Sequence, residues 1–196
     1  MGEELKLVRR CQEGDPQAFR KLVERYEGRI YTLACSIVGH PEAARDAAQE
    51  AFFLAYQALS NFRAESGFYT WLYRIAVNVC LDAAQKERRR LDNVSLETLV
   101  ESRKLSPEAL FETQHPETDL ERAELQEYIQ EVLNSLSPDH RAVVVLKDIE
   151  GLSQEEISEA LDCSVGTVKS RLSRARTHLR DLLRPIYTEW TGRAPA

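Results

Sequence analysis

The stretch GLSQEEISEALDCSVGTVKSRLSRARTHLRDLL, residues 151–183, contains the strongest local folding signals in the chain. Ser153, followed three residues later by Glu156, forms a capping-box pattern and predicts that a short helix begins there. The segment DCS predicts a tight turn, and a longer helix follows from about Val165. That longer helix carries an apolar stripe at helical spacing, made of Val168, Leu172, Ala175, Leu179 and Leu182. A short helix, a tight turn and a longer amphipathic helix predict a helix-turn-helix unit.

The outer face of the longer helix is basic or hydroxylic, although the chain as a whole is acidic. It has 32 Asp and Glu against 26 Lys and Arg, for a formal charge of −6. In a helix-turn-helix the early outward residues of the second helix enter the major groove, where guanine offers acceptors suited to Arg or Lys. We expect base contacts from Lys169, Ser170, Ser173 and Arg174, and phosphate contacts from Thr167 and Arg171. The alternative is a solvated basic face on an ordinary helix, and the capping box, turn and stripe together favour DNA binding.

Composition narrows the class of protein. The 196 residues are 43% hydrophobic and 30% charged, as in a soluble globular protein. No apolar run approaches the ~20 residues needed to cross a bilayer, and the N-terminus has no apolar signal core, so we expect a cytoplasmic protein without membrane insertion. The cysteines are scattered, and phosphate-loop, nucleophile-elbow and zinc-protease motifs are missing from the sequence. The sequence therefore predicts no catalytic site, no metal site, no cofactor and no enzymatic activity.

Helical periodicity extends through most of the chain and predicts an all-α fold of two small domains. Asp15 and Pro16 predict the start of one helix, and Pro41 begins a second that runs to about Ser60. A third follows the loop RAESG, and this first domain, residues 1–92, ends after the basic run KERRR. Residues 93–118 contain two prolines and an excess of Glu, and predict a flexible acidic linker. The second domain is expected over 119–186, with a tail over 187–196.

The second helix has apolar residues on two faces. Its Ala-rich stripe predicts one buried face, while Asp46, Gln49, Phe53 and Tyr56 lie on another. A helix of this kind is either buried all round or docked to a partner.

Two blocks, DAAQEAFFLAYQAL (46–59) and FRAESGFYTWLYRIAVN (62–78), closely resemble the extracytoplasmic-function (ECF) sigma factors, especially the sigma-E branch. The C-terminal pattern resembles the same family's, so the resemblance covers nearly the whole chain except the linker and the tail. It implies a bacterial initiation factor that binds core RNA polymerase through the β′ clamp helices and the β flap. The residues it assigns to polymerase binding are Asp46, Gln49, Glu50, Phe52, Phe53 and Tyr56.

The resemblance also implies that the loop from Phe62 to Phe68 captures an extruded base of the promoter's −10 element. An unstacked base needs an aromatic or apolar pocket, and a single strand needs cationic partners. The −10 contact residues implied are Phe62, Arg63, Ser66, Phe68, Tyr69, Tyr73, Arg74 and Asn78. Phe68 and Trp71 fall on the core stripe and are expected to be structural, whereas Tyr69 and Tyr73 lie off that stripe and are expected to be exposed.

In the C-terminal domain the resemblance implies recognition of the −35 element. It adds Lys147, just before the helix-turn-helix, to the residues derived above. The chain departs from the family pattern at Ser173, where the sigma-E branch can carry a large apolar side chain, so one or more −35 bases are left undetermined.

The function that follows is promoter-specific transcription initiation without chemistry of its own. The expected partners are core RNA polymerase, promoter DNA and an anti-sigma factor, and the linker is expected to enter the nascent-RNA channel of the polymerase. Two alternatives stay open at this point. One is a stand-alone helix-turn-helix regulator that binds a palindrome as a dimer, and the other is a helical adaptor that binds a partner without promoter function.

Overall fold

The computed structural model describes residues 3–64, 67–93 and 128–191, with side chains described to residues 90 and 184 in the two segments that end in helices. Most of the predicted linker and the end of the predicted tail lie outside these residues, as does Ser66. Every regular element in the described part of the chain is helical, which confirms the all-α prediction. The elements are α1 (Glu3–Gln12), α2 (Pro16–Val38), α3 (Pro41–Ala58), a 3₁₀ turn (Leu59–Asn61), α4 (Phe68–Asn93), α5 (described over 128–134), α6 (Pro138–Val144), a π turn (Val145–Ile149), α7 (Gln154–Ala160) and α8 (Val165–Thr191).

The helix ends follow the local signals of the sequence. Asp15 accepts hydrogen bonds from the backbone N–H groups of Gln17 and Ala18 and so caps α2, as predicted. Ser153 and Glu156 form the predicted capping box at the start of α7. At its other end α2 stops at Gly39, whose φ of 80° lies in the left-handed region that favours glycine.

The first body consists of α1 to α4 and has an alanine-lined centre. Ala44, Ala47, Ala51 and Ala55 place the small buried face of α3 against α2 and α4. These short side chains let the three helices approach closely, and larger residues on α2 and α4 fill the space between them. The largest fully buried side chains of this body are those of Val8, Leu22, Ile30, Leu33, Ile37, Leu72 and Val77.

The second body consists of α5 to α8 and contains the helix-turn-helix. Ile157 on α7 and Val168 and Leu172 on α8 are buried against α6 and the π turn. The turn between α7 and α8 uses Asp162 at a φ of 46°, a conformation that short polar residues tolerate. The helix-turn-helix prediction is therefore confirmed in its two helices and its turn.

The two bodies pack against each other and share one buried core. Helices α6 and α7 of the second body contact α4 of the first, and α6 also contacts α2. Arg141, only 7% exposed, donates to backbone carbonyls of α2 at Ile37 and Val38. Local sequence patterns did not predict this packing.

Candidate nucleic-acid and protein interfaces

The first candidate surface is the outer face of α3. Asp46, Gln49 and Glu50 are exposed there. Phe53 and Tyr56 follow on the same side and are 55% and 52% exposed, although large apolar side chains are more often covered. The prediction that α3 presents a second face, distinct from its buried alanines, is confirmed.

An apolar groove runs beside these aromatic residues. Phe19 on α2 stacks edge-on against Tyr56, with ring centroids 4.9 Å apart. Val23 and Phe52 line the same groove, whose walls are almost entirely apolar. Helical spacing alone does not predict the place of Phe19 and Val23 at this surface, because residues at the margin of a core have the same spacing as those at its centre.

The second candidate surface begins at the loop before α4. The rings of Phe62, Phe68 and Trp71 form a cluster with centroid distances of 5.1–6.0 Å. Phe62 and Phe68 are 8% and 2% exposed, so they belong to the core, as expected for Phe68. The Gln12 side chain fixes this loop by donating to the carbonyls of Leu59 and Phe62, each at 3.0 Å.

Tyr69 and Tyr73 were both predicted to be exposed, and they differ in how far they are buried. Tyr69 is half-buried, with the Arg29 guanidinium 4.0 Å above its ring, whereas Tyr73 is only 4% exposed. The expectation that Tyr73 is exposed is wrong in this structure because the second body covers it: Tyr73 faces Glu150 and Leu152 across a narrow interdomain cavity.

Tyr73 and the polar residues near it differ in their accessibility and in their partners. Its hydroxyl is buried and has no hydrogen-bond partner among the described residues. Burial, with a smaller contribution from the Glu150 carboxylate, raises the pKa of Tyr73 well above its usual range. The neighbouring Arg74 forms an ion pair with Glu159 of α7, while Arg63 and Asn78 are exposed.

The third candidate surface is the outer face of α8. Lys169, Ser170, Ser173 and Arg174 are all exposed there, opposite the buried stripe. The helix begins at a local cap in which the Thr167 N–H donates to Ser164 Oγ at 3.0 Å. The four residues predicted to contact bases therefore lie on one surface.

The flanking residues of this surface are held by the protein itself. Thr167 and Arg171 are half-buried, and Arg171 pairs with Asp139 at 3.0 Å. The Lys147 ammonium donates to the Leu152 carbonyl at 2.9 Å and so fixes the turn before α7.

Lys169 and Arg174 are exposed cations on α8, although the chain as a whole carries a net negative charge. Burial lowers the pKa of His140, and Arg174 and Arg171 lower it further. A basic patch of this kind suits phosphate contacts.

Within the described parts of the chain, no cluster of His, Cys, Asp and Glu side chains is arranged to hold a metal ion. None of the helices that the structure describes is long and apolar enough to cross a membrane.

Comparison with known proteins places both bodies in one class. Residues 22–90 match the model of sigma-70 region 2, and residues 126–179 match that of sigma-70 region 4. The chain is 39% identical over 180 residues to the ECF RNA polymerase sigma-E factor of Escherichia coli K12, an alignment covering 92% of this chain and 94% of that protein. It is 37% identical over 187 residues to the RNA polymerase sigma-H factor of Pseudomonas aeruginosa, covering 95% and 97% of the two chains.

Two solved structures are similar to this one in fold. CnrH, in complex with the cytosolic domain of CnrY, has a TM-score of 0.61 at 28% identity, with 90% of this chain and 94% of that chain covered. RpoE of Bartonella quintana, in complex with the anti-sigma factor NepR, has a TM-score of 0.59 at 27% identity, with 84% and 96% covered.

Regions 2 and 4 together define a sigma-70-type initiation factor. The chain belongs to the ECF sigma factors, the branch that its whole-length similarity to the sigma-E factor identifies. Core RNA polymerase and promoter DNA are the partners of this family. The match of region 2 over the first body disfavours a stand-alone helix-turn-helix regulator.

Proposed function

We propose that this sigma factor divides its work among the three surfaces described above. The outer face of α3 binds core polymerase, α8 recognises the −35 element, and α4 with its preceding loop holds the −10 strand. The observation that carries this assignment is the exposed acidic and aromatic face of α3, which lies in the region-2 body but contributes little to its core.

The polymerase-binding surface consists of a polar part and an apolar part. Asp46, Gln49 and Glu50 supply exposed polar groups, and Phe53 and Tyr56 supply large exposed rings beside the apolar groove. Exposed aromatic residues of this kind commonly carry much of the binding energy at protein interfaces. We propose that this surface binds the β′ clamp helices of the polymerase and that the second body binds the β flap.

The −35 surface follows from the geometry of α8. Lys169 and Arg174 offer cationic donors for guanine or phosphate, and Ser170 and Ser173 offer hydroxyl groups that can pair with either kind of base edge. Thr167 and Arg171 are assigned to the phosphates at the edge of this surface, together with Lys147 before the turn. Ser173 is the position at which we expect this factor's base preference to differ from that of the sigma-E branch.

The −10 surface combines the Phe62–Phe68 loop with α4. Arg63 and Asn78 are already exposed, whereas Tyr73 is covered and Arg74 is paired. Phe62 and Phe68 support this loop from the core, and Tyr69 is half-buried. Binding of a single strand by Tyr73 and Arg74 therefore requires the second body to move away from α4.

Several further properties belong to the same proposal. We assign residues 1–92 and 119–186 to the two domains, 93–118 to an acidic linker and 187–196 to a tail. The chain acts in the cytoplasm, carries no catalytic, metal or cofactor site, and is inhibited by a dedicated anti-sigma factor, since the related RpoE of Bartonella quintana was solved with one.

The deciding experiment adds the purified chain to core polymerase and sequences the transcripts made from a genomic library. Promoter-specific transcripts that depend on the added chain are the expected result. Polymerase binding without any transcript, at every salt concentration tried, would instead favour the helical adaptor.

The α3 assignment is tested by Phe53→Ala. Because Phe53 is more than half exposed, the substitution should leave thermal stability nearly unchanged while weakening core-polymerase binding by about 2 kcal/mol, the range of an interface hot spot. The control is Lys6→Ala, which shortens an exposed side chain of α1 in the same body but outside the three proposed surfaces. Equal affinities of both variants for core polymerase, measured by biolayer interferometry, would contradict the assignment.

A further inference from the structure

A cavity of about 450 Å³ lies where the C-terminal end of α4 approaches the end of α2 and the turn between α5 and α6. Its ionisable lining residues are His40, Glu87, Arg88, Arg90 and Arg141. The volume falls in the range of pockets that hold small ligands. The lining carries three arginines and one carboxylate, and it is therefore cationic in a chain whose formal charge is −6.

Arg141 is the buried part of this lining. Its Nη1 donates to the carbonyls of Ile37 and Val38 at 3.0 and 3.1 Å, and its Nη2 donates to those of Asn134 and Leu136 at 3.2 and 3.4 Å. Its Nε is also buried and has no hydrogen-bond partner among the described residues. Carbonyl groups satisfy the donors of a guanidinium but supply no opposite charge, so Arg141 is a buried cation without a counter-ion in the described parts of the chain.

Arg88 adds a second cation without a partner. Its side chain is exposed and makes no hydrogen bond or ion pair in the part of the chain that the structure describes. Burial, and after it the positive charge of Arg88, lowers the pKa of Arg141 to about 10. The two guanidinium groups therefore repel each other, and an anion bound between them would remove this repulsion.

The other groups around the cavity leave this charge uncompensated. Arg90 pairs with Glu87 at 2.6 Å, so the single carboxylate of the lining already has a partner. Helix α3 begins beside the cavity, and its N-cap residue, His40, makes no side-chain cap hydrogen bond. The first N–H groups of a helix lack intrahelical partners and attract anions. The helix terminus and the arginines therefore favour a ligand of the same sign.

We propose that this cavity binds a small phosphate-bearing ligand, with Arg88 donating to the phosphate oxygens and Arg141 supplying a buried positive charge. Guanidinium groups bind phosphate through paired, charge-assisted hydrogen bonds. Two uncompensated arginines favour a multiply charged group such as a diphosphate, which occurs both in inorganic pyrophosphate and in the phosphate tail of a nucleotide. The site lies outside the three surfaces of the proposed function and does not depend on them.

Isothermal titration calorimetry of the full chain with sodium pyrophosphate, in magnesium-free buffer of constant ionic strength, tests the site. The matched pair is Arg88→Ala and Arg89→Ala, since Arg89 is the next residue of α4, is equally classed as exposed and does not line the cavity. We expect Arg88→Ala to weaken binding about tenfold, as for a lost hydrogen bond to a charged group, and Arg89→Ala to change it by less than about twofold. Equal losses would show attraction by the general charge of this end of α4 and overturn the proposal.

A second pair of variants predicts a gain, which unfolding could not produce. Glu87→Gln removes the carboxylate from the lining and frees Arg90, whereas Asp82→Asn removes an exposed carboxylate of α4 outside the cavity. We expect Glu87→Gln to bind pyrophosphate about fivefold more tightly than wild type and Asp82→Asn to bind it like wild type. Circular dichroism checks the fold of all four variants. No gain in Glu87→Gln, or an equal gain in both, contradicts the site.

The source of the phosphate is distinguished by titrating ATP beside pyrophosphate. Tighter binding of ATP identifies a nucleotide, and equal binding identifies the phosphate group alone. Sulfate that binds as tightly as pyrophosphate at the same ionic strength would indicate an adventitious ion only and overturn the proposal. A DNA duplex of about 20 base pairs that displaces pyrophosphate, and itself binds more weakly to Arg88→Ala than to Arg89→Ala, would assign the cavity to the DNA backbone instead. None of these measurements uses polymerase, so failure to direct transcription would leave their result standing.

Discussion

At the scale of single residues, Gly39 meets two requirements at once. Its φ of 80° ends α2 in the left-handed conformation, and its missing side chain leaves room for Asn134 and Arg141. Gly28, inside the same helix, meets neither requirement, since nothing lies within 4 Å of where its Cβ would be. The two glycines therefore respond oppositely to the same substitution.

We expect Gly39→Ala to lower the free energy of unfolding by about 1–2 kcal/mol, because it adds backbone strain and a collision between the bodies. Gly28→Ala should raise it by about 0.5–1 kcal/mol, since alanine is favoured over glycine within a helix. Urea unfolding of both variants beside wild type measures the difference. Equal effects of the two substitutions would contradict the role given to Gly39.

Burial of Tyr73 makes the stability of the folded protein depend on pH. Burial and Glu150 raise its pKa in the folded state, so the unfolded chain releases this proton first as the pH rises. Ionisation of Tyr73 therefore does not affect the free energy of unfolding below the ordinary tyrosine pKa of about 10, and it lowers that free energy as the pH rises beyond this value.

We expect Tyr73→Phe to raise stability by roughly 1 kcal/mol at neutral pH, because it removes a buried hydroxyl that has no partner among the described residues. Above a pH of about 10 the variant should gain further on wild type, since it has no phenol to ionise. Urea unfolding at neutral and alkaline pH measures the gap between the two proteins. A gap that stays constant with pH would contradict this explanation.

At the scale of elements, α8 divides into a buried stripe and an outer face. Val168, Leu172 and Ala175 are buried, while Lys169 and Arg174 are exposed. Sequence periodicity predicted this division because both faces follow from the 3.6-residue period of one helix. It did not predict that Arg171 pairs with Asp139, because that ion pair joins two helices.

Arg174→Ala should weaken binding of the polymerase complex to its promoter by about 1–3 kcal/mol, the usual range for one base contact. The matched control is Arg180→Ala, which removes an exposed arginine farther along α8, beside Asp181. Fluorescence anisotropy with a promoter identified in the transcription experiment measures both affinities. Equal losses for the two arginines would indicate that α8 contacts DNA only through its general charge.

At the scale of the whole molecule, the described residues of both bodies share one buried cluster. Leu33 and Leu72 belong to it from the first body, and Leu146 and Val168 belong to it from the second. A shared core couples the unfolding of two bodies, whereas separate cores let each unfold alone.

We therefore expect a single calorimetric transition for wild type and for the control Glu155→Arg, which changes an exposed residue of α7. The double substitution Asn134→Ala/Glu159→Arg removes the Asn134–Gly39 hydrogen bond and the Arg74–Glu159 ion pair between the bodies, so it should broaden or split this transition. Two well-separated transitions in wild type would contradict a shared core.

The sequence by itself determined the helices, their caps, the helix-turn-helix and the outward faces of α3 and α8. These features depend on signals within a few residues, such as the Asp15 cap and the Ser153–Glu156 box, so they can be recognised without any knowledge of distant contacts. The family resemblance extended this prediction to the class of protein.

Only the tertiary structure decided how the two bodies meet and which proposed contact residues are covered. The bonds from Arg141 to Ile37 and Val38 span more than 100 residues, and Tyr73 is buried by α7 and the turn before it, which come much later in the chain. Helical periodicity assigns a residue to a face of its own helix but does not specify which element will cover that face. Aromatic residues outside the core stripe therefore occur on both α3 and α4, but Phe53 and Tyr56 on α3 are exposed whereas Tyr73 on α4 is covered.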